Sequence, residues 1–321
     1  MAVSVERSTM LAFLGIVVLG GVNGTAIRIG SEELAPFWAA SLRFALAGVI
    51  FLGIVAVRRV PFPRGWALVG SLLYGLLGLG VPFALVYWAL ATVPAGIAQV
   101  VLALVPLLTL LLAVAVGIEH FRIQGVVGAL ITIGGAVVVF SERLGSAVRL
   151  ESLLALLGAA SAMALGNVVI KRFPHSHPLS NNTVAMGVGA LMLFGLALIA
   201  SESLALPARV STLLGLAYLV VVGSVVVFTL YLVVIDRWTA SATSYSLLLM
   251  PLVAIVVAAA LLGEPITAAL IVGGALVLAG VYVGAFSPSL RRPLPALFGR
   301  QVPATATATS GPPTLQTPNC P

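Results

Sequence analysis

Charge is the first thing this sequence lacks. Only 8% of its 321 residues are Asp, Glu, Lys or Arg, against roughly 25% in an average soluble domain. With 61% hydrophobic residues, a soluble fold would have too few polar side chains to coat its surface. Length alone would suggest two soluble domains; composition excludes them and places the chain in a bilayer. Cysteine is nearly absent too. Cys320 stands alone beside the chain end, so no internal disulfide can form, and the prenylation spacing is missing. No Gly-rich nucleotide loop, metal-ligand cluster or nucleophile–base pair of recognisable spacing occurs. No cofactor, no catalysis and no ATP-driven step are therefore expected. The net charge of +7 is spread thinly through gaps between apolar runs, which argues for orientation in a membrane rather than nucleic-acid binding.

What is present is long apolar runs. A helix needs roughly 20 mostly apolar residues to cross about 30 Å of hydrocarbon. Ten runs qualify: 10–27, 36–57, 66–91, 94–117, 124–140, 152–173, 182–200, 210–235, 240–262 and 266–286. The split between the third and fourth rests on Val93-Pro94-Ala95-Gly96, a turn signal. Arg7 ahead of the first run fits a signal peptide, but no small-x-small cleavage site follows, so a retained helix is expected. With the N-terminus inside, eleven Lys and Arg residues fall in cytoplasmic segments and four in outer ones (Arg28, Arg143, Arg149 and Arg209). That positive-inside bias predicts a multi-pass protein of the cytoplasmic membrane with both termini cytoplasmic. Beyond 286 the Pro-, Ala- and Thr-rich segment 287–321 buries too little apolar area to order itself and is expected to be a disordered cytoplasmic tail.

Shifted by 145 positions, the chain aligns with itself. Pro106 lies over Pro251, Glu119 over Glu264, Gly128 over Gly273 and Gly135 over Gly280. Apolar matches are common among membrane helices, whereas Pro, Glu and Gly coincidences at one offset are not. The expected organisation is a first five-helix repeat over 1–145 and a second over 146–286. Because five is odd, the second copy enters from the opposite face, giving an all-α integral membrane fold of ten transmembrane helices in two inverted repeats. Such repeats enclose a site near the bilayer midplane where helices are broken at matching positions. Pro106 and Pro251, mid-run in the fourth and ninth segments, are expected to kink them.

The stretch Phe83-Ala-Leu-Val-Tyr87-Trp88 through Pro94, Gly96 and Gln99, then Pro106, Thr109 and Glu119, with Ser41-Leu-Arg43-Phe44 upstream, resembles the EamA-type branch of the drug/metabolite transporter superfamily over about residues 10–286. The resemblance implies ten helices, an inverted five-plus-five repeat, and export of amino acids or other small metabolites. Where members often carry tryptophan and phenylalanine on the first helix, this chain reads Gly21-Val-Asn23-Gly.

Polar groups at membrane depth cost free energy unless they meet partners, water or solute. Gln99 shares a face with Ala103 and Pro106, and its repeat mate Ser244 shares one with Ser241, Tyr245 and Leu248. Tyr74 and Trp88 share a stripe through Gly78, Val81 and Leu85, with Tyr87 alongside, and Asn23 and Asn167 lie late in the first and sixth runs. These residues either line a cavity for a neutral or zwitterionic small-molecule substrate or form interhelical hydrogen bonds; for Trp88 interface anchoring is the competing role. Arg43 either binds a substrate carboxylate or reaches toward Glu32 or Glu33. Arg28 and Lys171, at opposite faces, are candidate electrostatic gates. Gly20-xxx-Gly24 and Gly280-xxx-Gly284 allow close helix contact, within the chain or in a homodimer. The reading is a secondary carrier of amino-acid-like metabolites working by alternating access. Its rivals are a carrier of anionic metabolites, a lipid-modifying membrane enzyme and a scaffold.

Overall fold

The computed structural model describes residues 2–90, 98, 101–140, 149–250, 252–253, 256 and 268–286. Every regular element among them is helical. Helix α1 runs Ala2–Ser31, beyond both ends of the expected run, and yields to α2, Pro36–Val57. Pro36 opens α2 at a position where a missing N–H costs nothing. Helix α3 has three parts: Trp66–Tyr74, a π-helical turn Gly75–Gly80, and Val81–Leu90. Helix α4, Val105–Ala115, carries Pro106 in its first turn and follows a break at Ala103 and Leu104, where the proline withholds its backbone donor. Then come α5, Ile123–Phe140, and α6, Leu150–Arg172. Helix α7, Pro178–Ile199, starts ahead of the expected 182 because Pro178 opens it and His177 caps it by accepting from Leu179 N at 3.2 Å. Helix α8 repeats the three-part design of α3: Val210–Val220, a π turn Val221–Val226, and Val227–Arg237. Helix α9 begins Ala240–Ser244, turns at Tyr245 and continues over 246–250. Helix α10 is Ala268–Val281 with a closing π turn, Tyr282–Phe286.

Among the described residues five helices are long and apolar enough to cross a bilayer: Pro36–Val57, Trp66–Ala89, Leu150–Arg172, Pro178–Ile199 and Val210–Arg237. Shorter apolar helices cover Arg7–Asn23, Val105–Ala115, Ile123–Val138 and Ile271–Gly284. Their outward faces carry Leu11, Val49, Leu154, Leu191, Leu214 and Ile271, all exposed, an apolar surface suited to lipid.

Helices matched by the 145-residue offset pack against each other. On α5 and α10, Gly128 meets Gly280 and Gly284, while Gly135 meets Gly273 and Val277. As one residue number rises the other falls, so the two helices run antiparallel. The same holds for α2 and α7: Ser41 Oγ donates to Ala190 O at 3.0 Å, and farther along Gly48 faces Met186 and Gly187. Small residues permit this backbone approach, which in lipid must come from packing because no hydrophobic force drives helices together there. Gly280 and Gly284 are thus used inside the chain, as are Gly20 and Gly21, which abut Met250 and Val253 of the α9 region.

The remaining helices are exchanged between the halves. Helix α1 packs on α8, and α6 packs on α3 and α4. At one end, loop carboxylates join the halves reciprocally. Glu33 accepts from Ala208 N at 2.7 Å and from Arg209 N, at the start of α8. Glu202 accepts from Phe37 N and Trp38 N at 3.2 and 2.8 Å, at the start of α2. Both place negative charge on free N–H groups at a helix N-terminus.

Candidate functional site

Between the halves lies a cavity of about 290 Å³. Asn23 of α1, Arg43 of α2, Tyr74 of α3, Asn167 of α6 and Tyr231 of α8 supply its polar groups, and Phe83, Met163, Phe228 and Leu248 much of its apolar wall. Four of the five polar residues were singled out from sequence; Tyr231 was not.

The two π turns set the geometry. A π turn holds one residue more than an α turn, so it rotates all that follows by about 100° relative to α-helical phasing. In α3 the turn Gly75–Gly80 separates Tyr74 from Trp88. The stripe expected to join them is broken: Tyr74 is 2% exposed and lines the cavity, whereas Trp88 is 46% exposed on the outside. In α8 the turn Val221–Val226 brings Gly223 and Ser224 to Arg43.

Arg43 is 2% exposed. Its Nε donates to Ser224 Oγ at 2.8 Å and its Nη2 to Gly223 O at 2.9 Å. Ser224 Oγ in turn donates a hydrogen bond to Leu219 O at 2.8 Å. The guanidinium carbon lies 5.5 Å from the Phe44 ring centre and 5.9 Å from that of Phe83, within cation–π range. The reach toward Glu32 or Glu33 is overturned, because Glu33 is engaged by the Ala208 and Arg209 amides and Glu32 faces Arg209 at 3.9 Å. Among the described residues no carboxylate pairs with Arg43.

Deeper in the cavity, Tyr231 donates to Asn167 Oδ1 at 2.7 Å, and Asn167 Nδ2 donates to Thr109 Oγ1 at 3.5 Å. Asn23 Oδ1 is buried beside Gly223 and has no donor among the described residues.

The end near Lys171 is tied shut by polar contacts. Lys171 Nζ donates to the carbonyls of Ile235, Asp236 and Trp238 at 2.7, 3.0 and 2.9 Å, a cation on the free C=O groups ending α8. Glu119 accepts from Ser241 N at 3.0 Å and Ser241 Oγ at 2.5 Å. Ser244 Oγ donates to Ser241 O at 2.6 Å and Tyr245 OH to Gly125 O at 3.1 Å. Ser241, Ser244 and Tyr245 are therefore buried among these contacts, outside the cavity lining; Tyr87, half-buried beside Phe83 late in α3, is also outside that lining. Gln99, Pro251 and the Arg28 side chain lie outside the described residues, as do Glu264, Pro94, Gly96 and the segment 287–321.

A largely apolar chamber with a few polar groups, lying between two interlocked sets of apolar helices, fits a membrane transporter. The EamA-like transporter family matches twice, over residues 7–141 and 150–285. The chain belongs to that family and is a multi-pass membrane protein built of two repeats. Similar proteins include a probable amino-acid metabolite efflux pump of Salmonella typhimurium, 27% identical over 89% of this chain and 97% of that one. An uncharacterized inner membrane transporter of Escherichia coli is 31% identical over 80% and 83% of the two chains. A probable terminal-alkyne amino-acid exporter of Streptantibioticus cattleyicolor is 30% identical over 80% and 86%. A crystal structure sharing 22% identity superposes with a TM-score of 0.74 over 86% of this chain and 96% of the other, which establishes a common fold.

Proposed function

We propose that this protein is a secondary exporter of small neutral or zwitterionic, amino-acid-like metabolites, working by alternating access in the cytoplasmic membrane. The observation that carries the reading is the cavity itself. Both halves line it, and among the described residues its polar groups are amides, phenols and one guanidinium, with no acidic residue bordering it. The names of the relatives, an amino-acid metabolite efflux pump and an amino-acid exporter, support the cargo class and direction. In this reading the chain crosses the membrane ten times as inverted repeats with cytoplasmic termini, organised as 1–145 and 146–286. The antiparallel packing of repeat mates α2 with α7 and α5 with α10 supports the inversion, because a two-fold axis in the membrane plane pairs mates head to tail. The two halves rock about the chamber, with the Lys171 end closed in the state described.

Liposomes containing only the purified protein and loaded with the twenty common amino acids test this. At least one should leave faster than from protein-free liposomes; retention of all twenty overturns the reading. Threading is tested with single cysteines in a background lacking Cys320. Glu32→Cys should react with a membrane-impermeant maleimide from outside the cell, and His177→Cys only after the membrane is opened. Labelling of both from one side overturns the inversion.

A further inference from the structure

Among the described residues Arg43 is a buried cation without a counter-charge, and its placement is costly unless something compensates it. A charged side chain in hydrocarbon is disfavoured, and a buried ion left unpaired more so. Ser224 and Gly223 offer neutral acceptors only, to Nε and Nη2. A guanidinium has five N–H donors, and among the described residues nothing accepts from Nη1. The residue borders the cavity, so an occupant of the cavity is placed to supply the negative charge that the described residues do not.

We infer that Arg43 binds the cargo carboxylate and that Asn23 accepts a hydrogen bond from its ammonium, making the cargo an α-amino acid with an uncharged, apolar side chain. The inference rests on the transport reading above. Two further observations support it. The same residue, Gly223, takes the Arg43 Nη2 bond on its carbonyl and has the donor-less Asn23 Oδ1 against its α-carbon. Cation and acceptor are thus close neighbours, as the two groups on one α-carbon require. Asn23 itself lines the chamber, so engaging the cargo requires its amide to turn about its last side-chain bond, away from Gly223. Secondly, the rest of the wall is largely apolar, with Phe83, Met163, Phe228 and Leu248 facing a space of about 290 Å³, at the small end of ligand sites. Among the described lining residues a second carboxylate on the cargo would find no second cation, and a basic side chain no acid.

The test uses liposomes holding the full-length protein and two kinds of measurement. In the first, the wild-type protein is offered the amino acid it releases fastest, the primary amide of that amino acid, and the matching carboxylic acid without the amine. The amide lacks the negative charge and should leave at least tenfold more slowly; the acid without the amine should be slower than the parent. In the second, Arg43→Gln should cut the initial release rate about tenfold to a hundredfold, the range set by losing charge-assisted hydrogen bonds. Its thermal unfolding is followed in parallel. Should Arg43→Gln fail to fold, the amide comparison on the wild-type protein decides alone. Release of the amide as fast as its parent, or wild-type rates from folded Arg43→Gln, overturns the inference while leaving the transporter intact. Release of no amino acid by the wild-type protein overturns the function instead.

Discussion

Gly135→Leu unfolds the protein far below the wild-type temperature, while Gly134→Leu, one residue earlier on the same helix, does not. At Gly135 a methyl group would lie 2.7 Å from Val277 N, 2.8 Å from Gly273 O and 2.9 Å from Leu276 Cβ. Two of those atoms are backbone, so α10 must move bodily to make room. At Gly134 nothing lies within 4 Å of the added carbon. Overpacking of a tight contact costs about 3 kcal/mol, and in lipid the lost packing is not replaced by any hydrophobic gain. The control gains up to about 0.8 kcal/mol from leucine's better helix propensity. Thermal unfolding in detergent reads both. Equal midpoints for the two variants would show that α5 and α10 do not meet through Gly135.

The second large effect concerns the closed end. Glu119 is 9% exposed and takes both the backbone and hydroxyl donors of Ser241, charge-assisted bonds worth about 1.5–3 kcal/mol each. If the halves rock as proposed and this end opens, these bonds break in the open state, and losing them shifts the balance toward it. Glu119→Ala is expected to raise the population open at that end about tenfold or more. The readout is a cysteine at the fully buried Ala240, in a background lacking Cys320. Its rate of modification by a soluble maleimide should rise by the same factor in Glu119→Ala. An unchanged rate would mean that this carboxylate holds α9 in place without governing access.

The all-helical membrane class and the repeat were legible in the sequence. Apolar length gives the helices, and matched Gly and Glu residues at one offset give the duplication. What was not legible needed facts from elsewhere in the chain. Helical phasing read Tyr74 and Trp88 as neighbours, since nothing in Gly75-Leu-Leu-Gly-Leu-Gly80 announces that the turn will hold an extra residue. Tyr231 went unnoticed for the same reason, lying beyond the matching turn in α8. One of the two sequence readings of Arg43 placed Glu32 or Glu33 within its reach. Those carboxylates are taken by residues about 175 positions away, which no local pattern encodes. Ser241, Ser244 and Tyr245 were recognised as special polar residues, but whether they face a chamber or a helix end depends on Glu119 and Gly125 arriving from the other half.

The exchange of α1 and α6 between the halves governs how the molecule is made. When the ribosome has released α1 through α5, the surfaces that α1 needs, on α8 and near Met250, have yet to be synthesised. The early segments must wait in the lipid as separate helices, and assembly is completed only when the late ones emerge. A gene cut at the junction would therefore yield two products unable to function singly, though able in principle to recombine when both are inserted in the same bilayer.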